Sequence, residues 1–165
     1  TYGRRFTPER CSPAAVLMSL YRILHERWLD EYYCTLCYAV FDLKQRVVTL
    51  ANSGLPYPVH VSGNKAGQIE LPGVPIGSFG MSTYDEISID LKPGDVIAFC
   101  SDGISETFNA AGEEFGSARV VETVREHKDK AAKEIVDAVF GAMREFRGEA
   151  EQTDDQTVVV VKLTH

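Results

Sequence analysis

Two apolar runs, residues 96–100 and 157–163, have the composition of buried β-strands, and they are separated by two segments with helical periodicity. These segments predict helices at about 117–127 and 129–147, and Gly148 fits the C-terminal end of the second one. The order of one strand, two helices and a final strand differs from the alternating βα order of a Rossmann fold.

The earlier part of the chain is predicted to begin with a helix and continue with strands. Ser12 can cap the free amides of a helix, and Pro13 is tolerated at its first position. Apolar residues at helical spacing extend this helix to about residue 29. Strand patterns follow at about 32–42, 46–52, 57–62 and 67–71, and the later residues of 84–91 alternate like a half-buried strand. This order of elements predicts the α+β class, in which helices cover the faces of antiparallel sheets.

Size and charge exclude several classes of function. The length of 165 residues favours one domain, and 44% hydrophobic with 25% charged residues is typical of a globular protein. A net charge of −7 argues against nucleic acid as the main partner. No apolar stretch approaches the roughly 20 residues that span a bilayer, so we expect no membrane contact. Because the chain begins at Thr1 without a signal-peptide pattern, we expect a fragment of a longer protein.

The cysteines offer one formal metal motif, the pair Cys34 and Cys37. This pair lies in a run that is predicted to be a strand, where residues three apart point to opposite faces and cannot share a ligand. We therefore predict core or half-buried thiols, which suit a reducing cytoplasm. The four histidines are dispersed and form no ligand spacing.

Two acidic motifs flank the apolar runs. Asp102 follows residues 96–100 and precedes Gly103, while Asp154 and Asp155 lie just before the terminal strand. Carboxylates at the ends of buried strands are costly unless a cation or hydrogen bonds compensate them. If the two strands are neighbours, Asp102 and Asp154 can meet at one end of a sheet, where Mg²⁺ or Mn²⁺ would find the oxygen ligands it prefers.

An alternative without a metal remains open at this point. Asp followed by Gly after a strand is also a common turn, and an Asp before a strand often solvates a loop or caps a turn. The spacing of the acidic residues does not distinguish these two interpretations.

Several blocks, in order, resemble the metal-dependent Ser/Thr protein phosphatases of type 2C (the PPM family), especially the bacterial SpoIIE/RsbU-type branch. Residues 33–39 resemble the family's "f-T-l-x-y-a" strand, 51–58 its "A-n-A-G-H-x-P-P" block, 74–77 "x-P-L-G", 91–95 "L-x-p-G-D", 101–106 "t/s-D-G-v-x-E", and Phe115-Gly116 and 154–157 complete the series. The resemblance implies a two-sheet antiparallel β-sandwich flanked by helices (α-β-β-α). It also implies hydrolysis of phosphoserine or phosphothreonine by metal-activated water.

The same resemblance assigns a metal set. Asp102 would be a ligand of one catalytic ion, with Gly103 beside it, and Asp154 would be its C-terminal partner with Asp155 close by. The intact domain would hold two Mn²⁺ or Mg²⁺ ions. No catalytic group beyond the metal ligands is predicted, and the substrate-binding residues are not identified.

The chain departs from the family pattern at two places. Leu55 replaces the common His of the "A-G-H" block, and nothing before Ser12 matches the family's N-terminal metal-binding segment. We therefore expect residues 1–165 to be a single phosphatase-type fragment, the C-terminal two-thirds or more of the domain, without its first strands and helix. We also expect this chain alone to bind Mn²⁺ weakly and to turn over little phosphate ester.

Three functions follow as hypotheses. The first is a Mn²⁺/Mg²⁺-dependent Ser/Thr phosphatase, fused to an upstream sensor or receiver domain and acting on a phosphorylated anti-sigma-factor antagonist. The second is a catalytically inactive, phosphatase-like regulatory or binding module. The third is another two-metal phosphohydrolase.

Overall fold

A computed structural model describes residues 12–26, 33–78 and 83–164. This part of the chain forms two compact units. One runs to Leu55 and includes Leu71–Asp90, and the other consists of Pro56–Glu70 and the residues from Leu91 onwards. The expectation of a single domain stays a prediction. No described helix is both long and apolar enough to cross a membrane.

The first unit contains one helix and a three-stranded antiparallel sheet of order β1-β2-β5. Its elements are α1 (Pro13–Glu26), β1 (Leu36–Asp42), β2 (Val47–Ser53) and β5 (Ile87–Asp90). The predicted start of α1 is confirmed, because the Ser12 hydroxyl accepts the Ala15 N–H at 3.1 Å and Pro13 is the first helical residue. The predicted residues 27–29, including Trp28, lie outside the described residues.

A small core stabilises this unit. It joins one face of α1 to β2 and to the segment that precedes β5, through the buried side chains of Leu17, Tyr21, Ala51, Ile76 and Tyr84. The helical spacing of the first two residues places both of them on the packed face of α1.

The second unit contains a four-stranded antiparallel sheet of order β4-β3-β6-β7 and three helices. Its elements are β3 (Val59–Ser62), β4 (Lys65–Gln68), β6 (Val96–Cys100), α2 (Asp102–Ser105), α3 (Gly116–Glu126), α4 (Ala132–Arg147) and β7 (Val158–Lys162). Gly148 ends α4 at φ +60°, and its N–H donates to the Arg144 carbonyl at 3.0 Å, which confirms the predicted stop.

Helices α3 and α4 pack on one face of this second sheet. Alternate residues of β3 and β6 meet the apolar stripes of both helices, with Val61, Val96, Val124, Val139 and Met143 at most 1% exposed. The α+β class with two antiparallel sheets is confirmed. The main boundary differences are β1, predicted from about 32 but beginning at Leu36, β4, predicted at 67–71, and α4, predicted to start near 129.

Candidate metal centre

The acidic motifs lie at the same end of the second sheet. Strand β6 pairs with β7 in antiparallel register, from Val96 opposite Lys162 to Cys100 opposite Val158. The end of β6 therefore lies beside the start of β7. Asp102 lies just after the end of β6, and the segment that carries Asp154 leads into the start of β7. The two acidic motifs are therefore adjacent, as the metal hypothesis requires.

Gly103 brings the two motifs into direct contact. A Cβ atom added at this glycine would lie 2.2 Å from the carbonyl oxygen of Asp155 and 3.4 Å from the Cβ of Asp154. A side chain of any size would collide with the main chain of the acidic segment. Gly103 lies in α2, and its small size permits this close approach.

Each of the two aspartates uses one carboxylate oxygen locally. Oδ1 of Asp102 accepts the Gly103 N–H at 3.0 Å, and Oδ1 of Asp154 accepts the Asp155 N–H at 2.7 Å. Among the described residues, no Lys, Arg or His side chain forms an ion pair with either aspartate or with Asp155. The negative charge at this sheet end is therefore not neutralised by a described side chain.

Burial does not explain the acidic motifs. Asp102 is half-buried, whereas Asp154 and Asp155 are exposed, so the predicted cost of burying unpaired carboxylates is wrong for this site. Two aspartates on adjacent segments, without a described basic partner, favour a cation instead.

The donor chemistry fits a hard divalent ion in part. Carboxylate oxygens are preferred ligands of Mg²⁺ and Mn²⁺, and Mg²⁺ often keeps several waters while one or two carboxylates bind it. Asp102 and Asp154 can supply such a pair. Within the described ranges, no group of three or more His, Cys, Asp or Glu side chains is placed to hold a metal ion.

Gly103 makes a further contact that bears on its assignment to the metal set. Its carbonyl oxygen accepts the Thr107 hydroxyl at 2.7 Å. The same hydroxyl lies 3.4 Å from Nε2 of Gln156, which precedes β7. The carbonyl of Gly103 is therefore already hydrogen-bonded within the unit.

Asp95 and His60 form a polar pair that the sequence does not predict. Asp95 is 3% exposed, and its Oδ2 accepts the Lys92 N–H at 2.9 Å and lies 3.3 Å from Nε2 of His60. The signal was present in the "L-x-p-G-D" block, whose aspartate closes its own turn. The contact with His60 needs the pairing of β3 with β6, which no local pattern reveals.

The "A-n-A-G" block has a structural part in the first unit. Asn52 is 2% exposed, and its side-chain amide donates to the carbonyls of Leu55 at 2.9 Å and Leu71 at 3.2 Å, while its Oδ1 accepts the Leu55 N–H. At position 55 these hydrogen bonds involve only the main-chain N–H and carbonyl. They do not depend on whether Leu or His stands there.

The cysteines correct one prediction and keep another. Cys34 is exposed and lies before β1, so the expectation of a half-buried thiol is wrong for it, and the strand argument does not apply to the pair. Cys37 and Cys100 are half-buried, as predicted. Burial raises the pKa of Cys37 to about 11 and that of Cys100 to about 12. Cys11 lies outside the described residues.

The family of Stage II sporulation protein E (SpoIIE) matches residues 1–164. The chain belongs to the SpoIIE family. The sequence resemblance to the SpoIIE/RsbU-type branch is thereby confirmed. Among curated relatives, phosphoserine phosphatase RsbU of Bacillus subtilis is 25% identical over 154 residues, which cover 91% of this chain and 45% of the relative.

Solved phosphatase domains share the fold. The SiaA-PP2C domain of Pseudomonas aeruginosa superposes with a TM-score of 0.82 at 22% identity, covering 94% of this chain and 63% of that one. The phosphatase domain of SpoIIE from Bacillus subtilis, presoaked with Mn, has a TM-score of 0.70 at 26% identity, with 90% and 65% covered. The chain is thus of the PP2C phosphatase-domain kind found in SpoIIE and RsbU.

The match covers only part of these proteins. The chain spans between 17% and 45% of the length of the curated relatives that it matches.

Proposed function

We propose that this chain provides one side of the metal centre of a Mn²⁺- or Mg²⁺-dependent phosphatase that hydrolyses phosphoserine or phosphothreonine in proteins. Asp102 and Asp154 would hold the ion, Asp155 would add negative charge beside it, and Gly103 would allow the two segments to approach. When bound, such ions act as Lewis acids and supply a water nucleophile for attack on phosphorus.

One observation carries this proposal. Gly103 packs closely against the carbonyl of Asp155. The side chains of Asp102 and Asp154 are therefore attached to neighbouring parts of the main chain. Each keeps an Oδ2 atom that no described residue engages. This arrangement, in a SpoIIE-family chain, supports a cation site better than it supports a pair of solvated turns.

The substrate and the cellular context are part of the same proposal. One curated relative, RsbU, is a phosphoserine phosphatase. We expect a phosphorylated anti-sigma-factor antagonist as the substrate, an upstream sensor or receiver domain, and action in the cytoplasm. The free thiols of Cys34, Cys37 and Cys100 are compatible with that reducing compartment.

The test is Mn²⁺-dependent release of phosphate from a phosphoserine protein by the full-length protein and its variants. Asp102→Asn and Asp154→Asn should each lower the rate by at least roughly 100-fold, since even outer-shell changes at metal sites cost about 10–100-fold. Asp129→Asn is the matched control, because this exposed aspartate lies between α3 and α4 and should keep the full rate.

Three outcomes would overturn the proposal. Full activity of Asp102→Asn would remove that residue from the centre. A folded wild-type protein without metal-dependent activity on any phosphoprotein would favour the inactive regulatory module, and preference for a non-protein phosphate ester would favour another phosphohydrolase.

A further inference from the structure

The hydroxyl of Ser101 replaces a main-chain carbonyl at the end of the β6–β7 ladder. Ser101 stands opposite Thr157, one step beyond the last register pair, Cys100 and Val158. Its N–H donates to the Thr157 carbonyl at 3.0 Å, as a ladder residue should. The return bond differs, because the Thr157 N–H donates at 3.0 Å to the Ser101 hydroxyl oxygen.

The start of α2 explains this exchange. The Ser101 carbonyl accepts the Ile104 N–H at 3.1 Å, since the chain turns into the short helix directly after the strand. The side-chain hydroxyl forms no cap bond to that helix. It is used across the sheet instead.

The same hydroxyl also donates to the acidic segment. Ser101 Oγ lies 3.0 Å from the carbonyl oxygen of Asp155, so it donates to Asp155 while it accepts from Thr157. A carbonyl oxygen could accept but not donate, and a methyl group could do neither. Ser101 Oγ therefore holds Asp155 and Thr157, the two neighbours of Gln156 in the segment that begins at Asp154.

A second contact acts on the same segment. The Thr107 hydroxyl donates to the Gly103 carbonyl at 2.7 Å, and Nε2 of Gln156 lies 3.4 Å from that hydroxyl. Residues 155, 156 and 157 are thus each connected by a polar side chain to the segment that carries Asp102. The two Ser101 bonds, at 3.0 Å each, are shorter than the 3.4 Å contact between Gln156 and Thr107.

We propose that Ser101 is a positioning residue for the metal centre: its hydroxyl sets the separation of Asp102 and Asp154 without contacting the ion. This inference rests on the proposed function. Outer-shell groups of this kind orient ligands, and their loss typically weakens metal affinity by about 10–100-fold. We expect a loss in that range for Ser101→Ala.

The experiment measures Mn²⁺ affinity of the full-length protein by electron paramagnetic resonance of the free ion, with thermal unfolding of the metal-free protein beside it. Ser101→Ala should bind Mn²⁺ about 10–100-fold more weakly than wild type. Ser101→Thr keeps a hydroxyl on an extended residue and should restore the affinity to within about threefold.

Ser53 offers a matched control. Its hydroxyl also bridges a main-chain pair, donating to the Leu36 carbonyl and accepting the Leu36 N–H, both at 3.0 Å, but it lies in the first unit. Ser53→Ala should lower the unfolding temperature and leave Mn²⁺ affinity unchanged. A merely structural role of Ser101 would give the same result for Ser101→Ala.

The outcomes separate the two proposals. If wild type binds no Mn²⁺, the proposed function fails. If wild type binds and Ser101→Ala binds equally well, the positioning inference alone fails. If Ser101→Ala does not fold, Ser101→Cys decides, because a thiol keeps the volume but is a weak donor and acceptor. A loss of less than about 10-fold for Ser101→Cys overturns the inference, and a loss of about 10–100-fold supports it.

Discussion

Gly103 faces the carbonyl oxygen of Asp155 at a distance that leaves no room for a methyl group, since a Cβ atom there would lie 2.2 Å from that oxygen. The obstacle is main chain rather than the end of a flexible side chain. Any substitution must therefore move the acidic segment or the start of α2.

We predict that Gly103→Ala lowers the free energy of unfolding by about 1–3 kcal/mol, the usual cost of overpacking. Urea denaturation of the metal-free protein measures it. Gly141→Ala is the control, because this exposed glycine lies within α4 and nothing lies within 4 Å of an added Cβ. It should stabilise the protein by up to about 1 kcal/mol, as Ala is the better helix former. Effects of equal sign in the two variants would contradict the steric argument.

The sequence predicted those elements whose signal is local. Helix α1 and strands β6 and β7 carry clear periodicity or apolar runs, and the start of α1 and the boundaries of β6 and β7 agree closely with the structure. The predicted position of β4 differs from the observed one because Lys65–Gln68 has no apolar alternation. Its position is set by the turn at Gly63 and Asn64, which fixes the register of the hairpin with β3.

The candidate site was predictable only in outline. Local patterns placed carboxylates at two strand ends, and pairing of those strands brought them together. The exposure of Asp154 and the bridging hydroxyl of Ser101 depend on long-range geometry, as does the contact between His60 and Asp95. Local sequence patterns do not specify contacts between residues that lie far apart in the chain.

Asp95 should be a strong determinant of stability. It is 3% exposed and accepts the Lys92 N–H, while His60 lies 3.3 Å away. Asp95→Ala leaves that N–H without its partner, so we expect a loss of about 1–3 kcal/mol in urea denaturation. Asp95→Asn keeps an acceptor and should lose less.

Asp129 supplies the comparison for Asp95. It is exposed and forms no ion pair among the described residues, so Asp129→Ala should stay within about 0.5 kcal/mol of wild type. Equal losses for Asp95→Ala and Asp129→Ala would show that the buried carboxylate has no special part in the turn before β6.

Asn52 should be equally sensitive in the first unit. Its buried amide makes three hydrogen bonds, with the N–H and the carbonyl of Leu55 and with the carbonyl of Leu71. Asn52→Ala leaves these groups unpaired, so we expect a loss of about 1–3 kcal/mol. Asn64→Ala, at an exposed turn, should change stability by less than about 0.5 kcal/mol. A null effect at position 52 would contradict the part given to this asparagine.

The cysteines should differ in reactivity. Cys34 is exposed, whereas burial raises the pKa of Cys37 to about 11 and of Cys100 to about 12. Because the thiolate is the reactive form, iodoacetamide at about pH 8 should label Cys34 before Cys37 and Cys100. Peptide mapping by mass spectrometry assigns the label to each site. Labelling of Cys100 as fast as Cys34 in the native protein would contradict its burial, and urea-unfolded protein is the control.

Burial of Cys100 also predicts a pH dependence of stability. Its pKa rises from 9.0 to about 12 in the folded protein, so the unfolded chain releases the proton first as the pH increases. The contribution of the buried, protonated Cys100 thiol to the free energy of unfolding is fully present below about pH 9. It is lost as the pH rises towards about 12. Cys100→Ser removes this group, and the loss of unfolding free energy between about pH 8.5 and 10.5 should be smaller in the variant. Parallel pH profiles would mean that the Cys100 thiol ionises equally easily in both states.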